Sequence, residues 1–159
     1  LPISHEILEK DANEQDIVLI GIQTRGVYLA RRIQAAIREI GQSTVPLGIL
    51  EITFYRDDLT VVGPSPVVKE TKIEFDLNDK RIVLIDDVLF TGRTIRAALD
   101  EIMDFGRPKV IELLVLVDRG HREMPIKADF VGKNIPTSLD ESVQVKMEEI
   151  DKIDEVILA

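Results

Sequence analysis

Continuous apolar runs alternate along this chain with stretches whose apolar residues recur every three or four positions. Residues 16–22, 81–86 and 110–117 are aliphatic blocks of the kind that form strands buried on both faces. Between them, residues 27–40 place Val27, Ala30, Ile33, Ile37 and Ile40 on one helical stripe closed by Gly41, and residues 93–105 repeat the pattern up to the Gly106-Arg107-Pro108 break. Residues 5–10 read as the end of a further helix, followed by a connector at 11–14 and a second strand over 45–54. Shorter strands are predicted at 128–131 and 142–148. Strand and helix patterns in alternation predict an α/β fold with a mostly parallel central sheet flanked by helices. Nothing along residues 1–159 marks a repeat or a second domain.

One segment has no core pattern. From Arg56 through Gly63-Pro64-Ser65-Pro66 to Lys72 the chain is polar and rich in turn formers, and it reads as a flexible flap of two strands.

Composition narrows the classes. With 159 residues and 45% hydrophobic content the chain is long enough for one well-formed core. No apolar run reaches the length of a membrane span, and the start, Leu1-Pro2-Ile3-Ser4-His5, does not read as a signal peptide. The chain opens on Leu rather than Met, so upstream residues are expected. The absence of cysteine excludes disulfides, a thiolate nucleophile and Cys-ligated metals, and fits a cytoplasmic protein. A formal net charge of −9 argues against indiscriminate nucleic-acid binding, so any polyanion partner requires a local basic face. Much of the acid lies in the tail at 148–155, which reads as a solvated strand pair or turn.

The chemistry concentrates at 82–95, Ile-Val-Leu-Ile-Asp-Asp-Val-Leu-Phe-Thr-Gly-Arg-Thr-Ile. A buried strand delivers Asp86 and Asp87 to its carboxyl end, and the turn Thr91-Gly92-Arg93-Thr94 opens a helix. Free N–H groups at a helix start favour a phosphate, and ligands of open α/β sheets bind at this edge. Adjacent side chains on a strand point to opposite faces, so both carboxylates reach one ribose only if the strand is ending there. Carboxylates for ribose hydroxyls beside a phosphate cradle describe a ribose-5-phosphate site. The turn Gly21-Ile22-Gln23-Thr24-Arg25-Gly26 repeats the logic earlier in the chain. Alone it is an ordinary strand-to-helix turn, whereas paired with the 86–94 loop it suits a ligand carrying both a 5-phosphate and a pyrophosphate.

The 82–95 string resembles the phosphoribosyl pyrophosphate (PRPP) signature of type I phosphoribosyltransferases. Taken in order with Gly-Ile-Gln-Thr-Arg-Gly, Phe-Tyr-Arg-Asp-Asp-Leu and the string from Asp118 to Thr137, it resembles the bacterial bifunctional family of pyrimidine operon attenuation regulators and uracil phosphoribosyltransferases. That resemblance implies the type I phosphoribosyltransferase fold, with a small hood formed by the N- and C-terminal segments. It implies transfer of the phosphoribosyl group of PRPP to uracil, giving UMP and pyrophosphate, with Mg²⁺ carried by PRPP. Position by position it assigns Thr24 and Arg25 to pyrophosphate and Arg56 to the flap. Asp86, Asp87, Val88, Leu89, Phe90, Thr91, Gly92, Arg93 and Thr94 go to ribose and 5-phosphate, with Asp86 and Asp87 as the catalytic pair, and Arg119 and Val143 lie near the nucleotide.

The resemblance also implies binding of pyrimidine operon leader mRNA under control of UMP or UTP, through His5, Lys10, His121, Arg122, Lys127 and Lys133, in a homo-oligomer. Lys10 and Lys127 stand where arginine is common, which keeps charge and loses bidentate geometry. Phe90 stands where tyrosine is usual. The family also has a stretch before His5 that this sequence lacks. Without the resemblance, residues 119–123 read equally well as a polar surface loop. Two other readings stay open at this point: a nucleotide-sensing RNA-binding regulator with little or no transferase activity, and a purine phosphoribosyltransferase.

Overall fold

A computed structural model describes residues 2–10, 16–41, 44–54 and 66–159. The order of elements is α1 (Pro2–Lys10), β1 (Ile17–Ile22), α2 (Arg25–Gly41), β2 (Leu47–Phe54), β3 (Pro66–Lys72), β4 (Arg81–Leu89), α3 (Arg93–Phe105), β5 (Val110–Asp118), β6 (Phe130–Asn134), β7 (Val143–Lys146), α4 (Glu148–Asp151) and β8 (Glu155–Leu158). Six strands form one sheet in the order β3-β2-β1-β4-β5-β6, and β7 and β8 form a separate antiparallel pair. All pairings in the large sheet are parallel except that of the edge strand β3 with β2.

The two faces of the sheet are sorted by residue parity. Ile17 and Leu19 of β1 with Val83 and Ile85 of β4 pack against Ile33 and Ile37 of α2 and Ile7 of α1. Val18, Ile20, Ile82 and Leu84 pack on the other face with Ile95, Ala98 and Ile102 of α3. This is the period-two rule of a strand buried on both sides. At the amino ends of β4 and β5, Arg81 and Glu112 form a buried ion pair, and Arg81 Nη1 donates to the Ile7 carbonyl at 2.8 Å, which ties α1 to the sheet.

Several boundaries differ from the sequence reading. Helix α2 begins at Arg25, two residues early, because Gly26 lets its first turn lie against β4: a Cβ there would stand 2.5 Å from the Ile85 carbonyl oxygen. Strand β4 does not end at Asp86 but runs to Leu89, since β5 continues to pair with it through Leu89↔Asp118. The acidic tail forms α4 and β8, and Glu149 and Asp151 of α4 and Asp154 before β8 find arginine partners on α2. Of the expected flap, residues 66–72 are β3, while the remainder, including Arg56, lies outside the described residues.

Candidate functional site

Strands β1 and β4 are neighbours at the centre of the sheet, and the chain leaves them in opposite lateral directions, toward β2 and toward β5. This is the switch point where open α/β sheets bind ligands. The last pairing between them is Gly21↔Ile85. Beyond it β1 turns into α2, and the β1-facing edge of β4 has no strand beside it.

Asp86 and Asp87 occupy that stretch. Because β4 continues, parity sends them to different sides, correcting the expectation that the strand ends beneath them. Asp86 lines a hollow of about 290 Å³ together with Phe90, Thr91, Arg93 and Thr94. Asp87 lines a second hollow of about 370 Å³ together with Arg25, Val143, Val145 and Asp151. Asp86 Oδ1 accepts the Asp87 N–H at 2.9 Å, and Asp87 Oδ1 accepts the Val88 N–H at 2.8 Å. Burial pushes the Asp86 carboxyl well above the usual carboxylate range, and the neighbouring Asp87 charge adds to the shift.

The hollow on the Asp86 side is walled by the start of α3. Gly92 caps that helix in the left-handed region at φ 96°, a conformation that favours glycine, and its carbonyl accepts the Arg96 N–H at 2.9 Å. Thr91 Oγ1 receives the Arg93 N–H at 3.3 Å. Val88 and Leu89 complete the lining, and Leu89 also uses its carbonyl to accept the Arg119 N–H at 3.1 Å.

Segment 118–126 folds over this loop from outside. Arg122 donates from Nη1 to the Phe90 carbonyl at 2.7 Å, from Nη2 to Asp118 Oδ2 at 2.7 Å and from Nε to the Ile126 carbonyl at 2.8 Å. Glu123 accepts from Arg93 Nε at 2.9 Å, and its N–H bonds the Thr91 carbonyl at 2.9 Å. Arg119 is buried, with its guanidinium over the Phe90 ring and Nη2 donating to the Ser138 and Glu141 carbonyls. His121 meets the same ring edge-on at 6.0 Å between centroids.

On the second side, Thr24 is exposed at the turn after β1, and the Gln23–Thr24 peptide is cis. Arg25 crosses to the C-terminal hood elements β7, α4 and β8, where Nε donates to the Val145 carbonyl at 2.6 Å and Nη2 to both oxygens of Asp151 at 3.1 and 3.2 Å. Arg32, two turns along α2, pairs with Glu149 and with Asp154 at 2.8 Å.

The structure thus brings together Thr24, Arg25, Val143 and the 86–94 loop around one sheet edge, with Arg119 behind Phe90. The residues assigned to RNA are distributed differently. His5, His121, Lys127 and Lys133 are exposed, while Arg122 is half-buried and committed to protein acceptors. Lys10 belongs to α1, but its side chain lies outside the described residues. Helix α1 packs against β6, which carries Lys133.

Sequence reasoning did not find Asp118, Glu123 and Asp151 as supports of the site. The only trace of Asp151 is an acidic tail together with two arginines seven positions apart on a helix, which fixes no pairing.

No group of three or more His, Cys, Asp or Glu side chains able to hold a metal ion occurs among the described residues, and no helix there is long and apolar enough to cross a membrane.

The phosphoribosyl transferase domain family matches residues 3–149. A relative from Caldicellulosiruptor bescii named Bifunctional protein PyrR is 59% identical over 98% of this chain and 86% of its own length. Bifunctional protein PyrR of Thermus thermophilus is likewise 59% identical over 98% of this chain and 86% of its own length. Among solved structures, purine phosphoribosyltransferase from Pyrococcus horikoshii matches with a TM-score of 0.64 and 25% identity, covering 85% of this chain and 81% of that one. A hypoxanthine phosphoribosyltransferase from Staphylococcus aureus gives a TM-score of 0.68 over 95% of this chain and 80% of that one, and at 21% identity it shows the fold alone. Together with the carboxylate pair at the switch point and the glycine-capped loop, these matches place the chain in the phosphoribosyl transferase domain family and, within it, among the bifunctional PyrR proteins.

Proposed function

We propose that this protein transfers the phosphoribosyl group of PRPP to uracil, releasing pyrophosphate and forming UMP, and that it binds pyrimidine operon leader mRNA in a manner controlled by UMP or UTP. The observation that carries the transferase reading is the pair of hollows divided by Asp86 and Asp87 at the β1/β4 switch point. One has the turn chemistry of a 5-phosphate cradle, and the other joins a cationic side chain to the strand bearing Val143. A ligand with phosphates at both ends of a ribose spans the two.

In this reading the N–H groups of the 91–94 turn and the Thr91 and Thr94 hydroxyls bind the 5-phosphate. The ribose bridges the edge of β4 that β1 leaves open beyond Gly21↔Ile85, so that Asp86 and Asp87 reach its hydroxyls from the two hollows although the strand continues. The ionised carboxylate lends its field to the cationic character that develops at C1 as pyrophosphate departs. Thr24 and Arg25 receive the pyrophosphate, and Arg56 belongs by motif match to the flap that closes over PRPP. The donor set fits Mg²⁺ held mainly by the oxygens of PRPP, because this hard cation keeps water and substrate ligands and needs no protein cage. When bound, it neutralises charge on the leaving pyrophosphate. The protein's contribution is mostly positioning within a site shielded from water.

For the RNA role, the exposed Lys127 and Lys133 supply cations on an otherwise acidic chain, and the exposed His5 and His121 supply imidazole hydrogen-bonding groups. A cytoplasmic homo-oligomer is part of the proposal. The direct test is UMP formation from PRPP with uracil, hypoxanthine, guanine or adenine, followed by titration of labelled leader RNA with and without UMP. Uracil alone is expected to be used, and UMP to tighten RNA binding. A purine used with equal or higher kcat/KM would move the protein to the purine class, and RNA binding without UMP synthesis would leave a regulator.

A further inference from the structure

Arg25 is assigned above to pyrophosphate, yet its side chain is held by the hood. Its Nε bonds the Val145 carbonyl of β7, and Nη2 brackets the carboxylate of Asp151. Asp151 is itself fixed at both ends of its residue. Its Oδ2 accepts the Met147 N–H at 2.9 Å, and its own N–H donates to the Met147 carbonyl at 2.7 Å. The Met147 N–H, and after it Arg25, hold the Asp151 carboxyl below the usual range. Val143 lies two residues from Val145 on β7, so the two side chains share a face, and both line the hollow that holds Arg25 and Asp87.

A guanidinium edge is matched to one planar anion at a time. A phosphate oxygen that takes Nη2 therefore replaces a carboxylate oxygen of Asp151, and until then the Asp151 charge opposes any anion entering the hollow. The same guanidinium also holds β7, the strand of Val143, which the family resemblance puts near the nucleotide, where uracil is read partly by backbone groups.

We propose that Asp151 is a positioning residue that latches Arg25 to β7 before pyrophosphate binds and is exchanged for it on binding, so that filling the pyrophosphate site is transmitted to the strand beside the base. This rests on the transferase reading given above. The latch sets the order of events: PRPP engages Arg25 first, and β7 adopts its base-reading position as Asp151 is released.

The test measures binding of Mg-pyrophosphate and Mg-PRPP by calorimetry, and UMP-forming kinetics, for wild type, Asp151→Asn and Asp151→Glu. Asn keeps an acceptor for the Met147 N–H and removes the charge, whereas Glu keeps the charge. Asp151→Asn is expected to bind pyrophosphate about twofold to fivefold tighter, the scale of one partly exposed charge pair, and to raise KM for uracil. Asp151→Glu is expected to keep wild-type pyrophosphate affinity. A residue that only maintains the hood's shape gives another order, with Glu impaired as much as Asn and neither variant binding pyrophosphate more tightly. That order, or wild-type protein that binds no pyrophosphate, overturns the latch.

Should Asp151→Asn fail to fold, the wild-type carboxyl decides. Followed by carbon NMR, its titration must rise when Mg-pyrophosphate displaces it from Arg25, with Lys146, the Met147 N–H and Asp87 as its other charged or polar surroundings. An unmoved titration with pyrophosphate bound overturns the proposal. Pyrophosphate binding with this pattern but no UMP synthesis removes the transferase reading and leaves the latch intact.

Discussion

The guanidinium of Arg119 lies over the ring of Phe90, 4.0 Å from its centroid. Arg119 is 7% exposed, and its Nε and Nη2 donate to the Thr137 hydroxyl and to the Ser138 and Glu141 carbonyls. The ring therefore serves as a platform for a buried cation at the point where β4 enters the turn before α3. Either phenylalanine or tyrosine supplies that face, which explains why Phe90 is acceptable where tyrosine is usual. Replacing Arg119 with Met keeps much of the bulk but strands these acceptors. Denaturant unfolding is expected to show a loss of about 1–3 kcal/mol. Phe90→Tyr is expected to stay within about 0.5 kcal/mol of wild type.

Asp86 yields a pH prediction with a definite sign. Its folded carboxyl is raised by burial and by Asp87, so the folded state holds the proton more tightly than the unfolded chain. Stability is then unimpaired below the ordinary aspartate value of about 3.9 and falls as pH rises from there through the raised value. Asp86→Asn removes the ionisation, so its melting temperature should exceed that of wild type at pH 8, with the gap closing toward pH 4. The same variant should bind PRPP far more weakly. A variant that is no more stable at pH 8, or that makes UMP at the normal rate, would count against the assignment.

The hood is joined to α2 by ion pairs whose carboxyls sit low. Arg32 lowers Glu149 and Asp154, chiefly through its hydrogen bonds to them. For depressed carboxyls the sign reverses: the stabilisation is present above the ordinary carboxylate values and is lost as pH falls through the lowered ones. The groups are exposed, so the effect on global stability is small. Hydrogen exchange is the sensitive readout. Between pH 7 and 3, protection at Ser142 and Ala159, whose amides bond each other's carbonyls across the β7–β8 pair, should fall before protection in β1 and β4. Arg32→Gln should reproduce that loosening at neutral pH.

The central strands were legible because Ile17–Ile22 and Ile82–Ile85 carry no polar side chain, and the packing of both faces follows from that. The turn into α3 was legible because Gly92, at φ 96°, and its flanking threonines have few structural alternatives. The end of β4 was misjudged because the register that prolongs it belongs to β5, and a strand's length depends on its neighbour. The hood ties were invisible for a related reason. Arg25 and Asp151 are 126 positions apart, and nothing local to either residue names the other. The assignment of Arg122 to RNA rested on motif match, whereas its three hydrogen bonds are tertiary facts.

Those bonds sharpen the RNA prediction. Lys133 is exposed on β6, the strand against which α1 packs, and a phosphate that pairs with it releases a condensed counterion, which favours binding at low salt. Lys133→Gln should weaken leader-RNA binding most at low salt and lower the magnitude of the log–log salt slope by about 0.7–1. Arg122 differs, because its charge is met by Asp118 at 2.7 Å and its other nitrogens hold Phe90 and Ile126. If it acts on RNA by shaping the segment that presents His121, Arg122→Gln should weaken binding at every salt concentration and leave the slope unchanged. Filter binding from low to moderate salt separates the two. A slope that falls by the same amount in both variants would mean that Arg122 leaves Asp118 to meet the RNA directly. Binding untouched by either substitution would move the RNA face elsewhere on the protein.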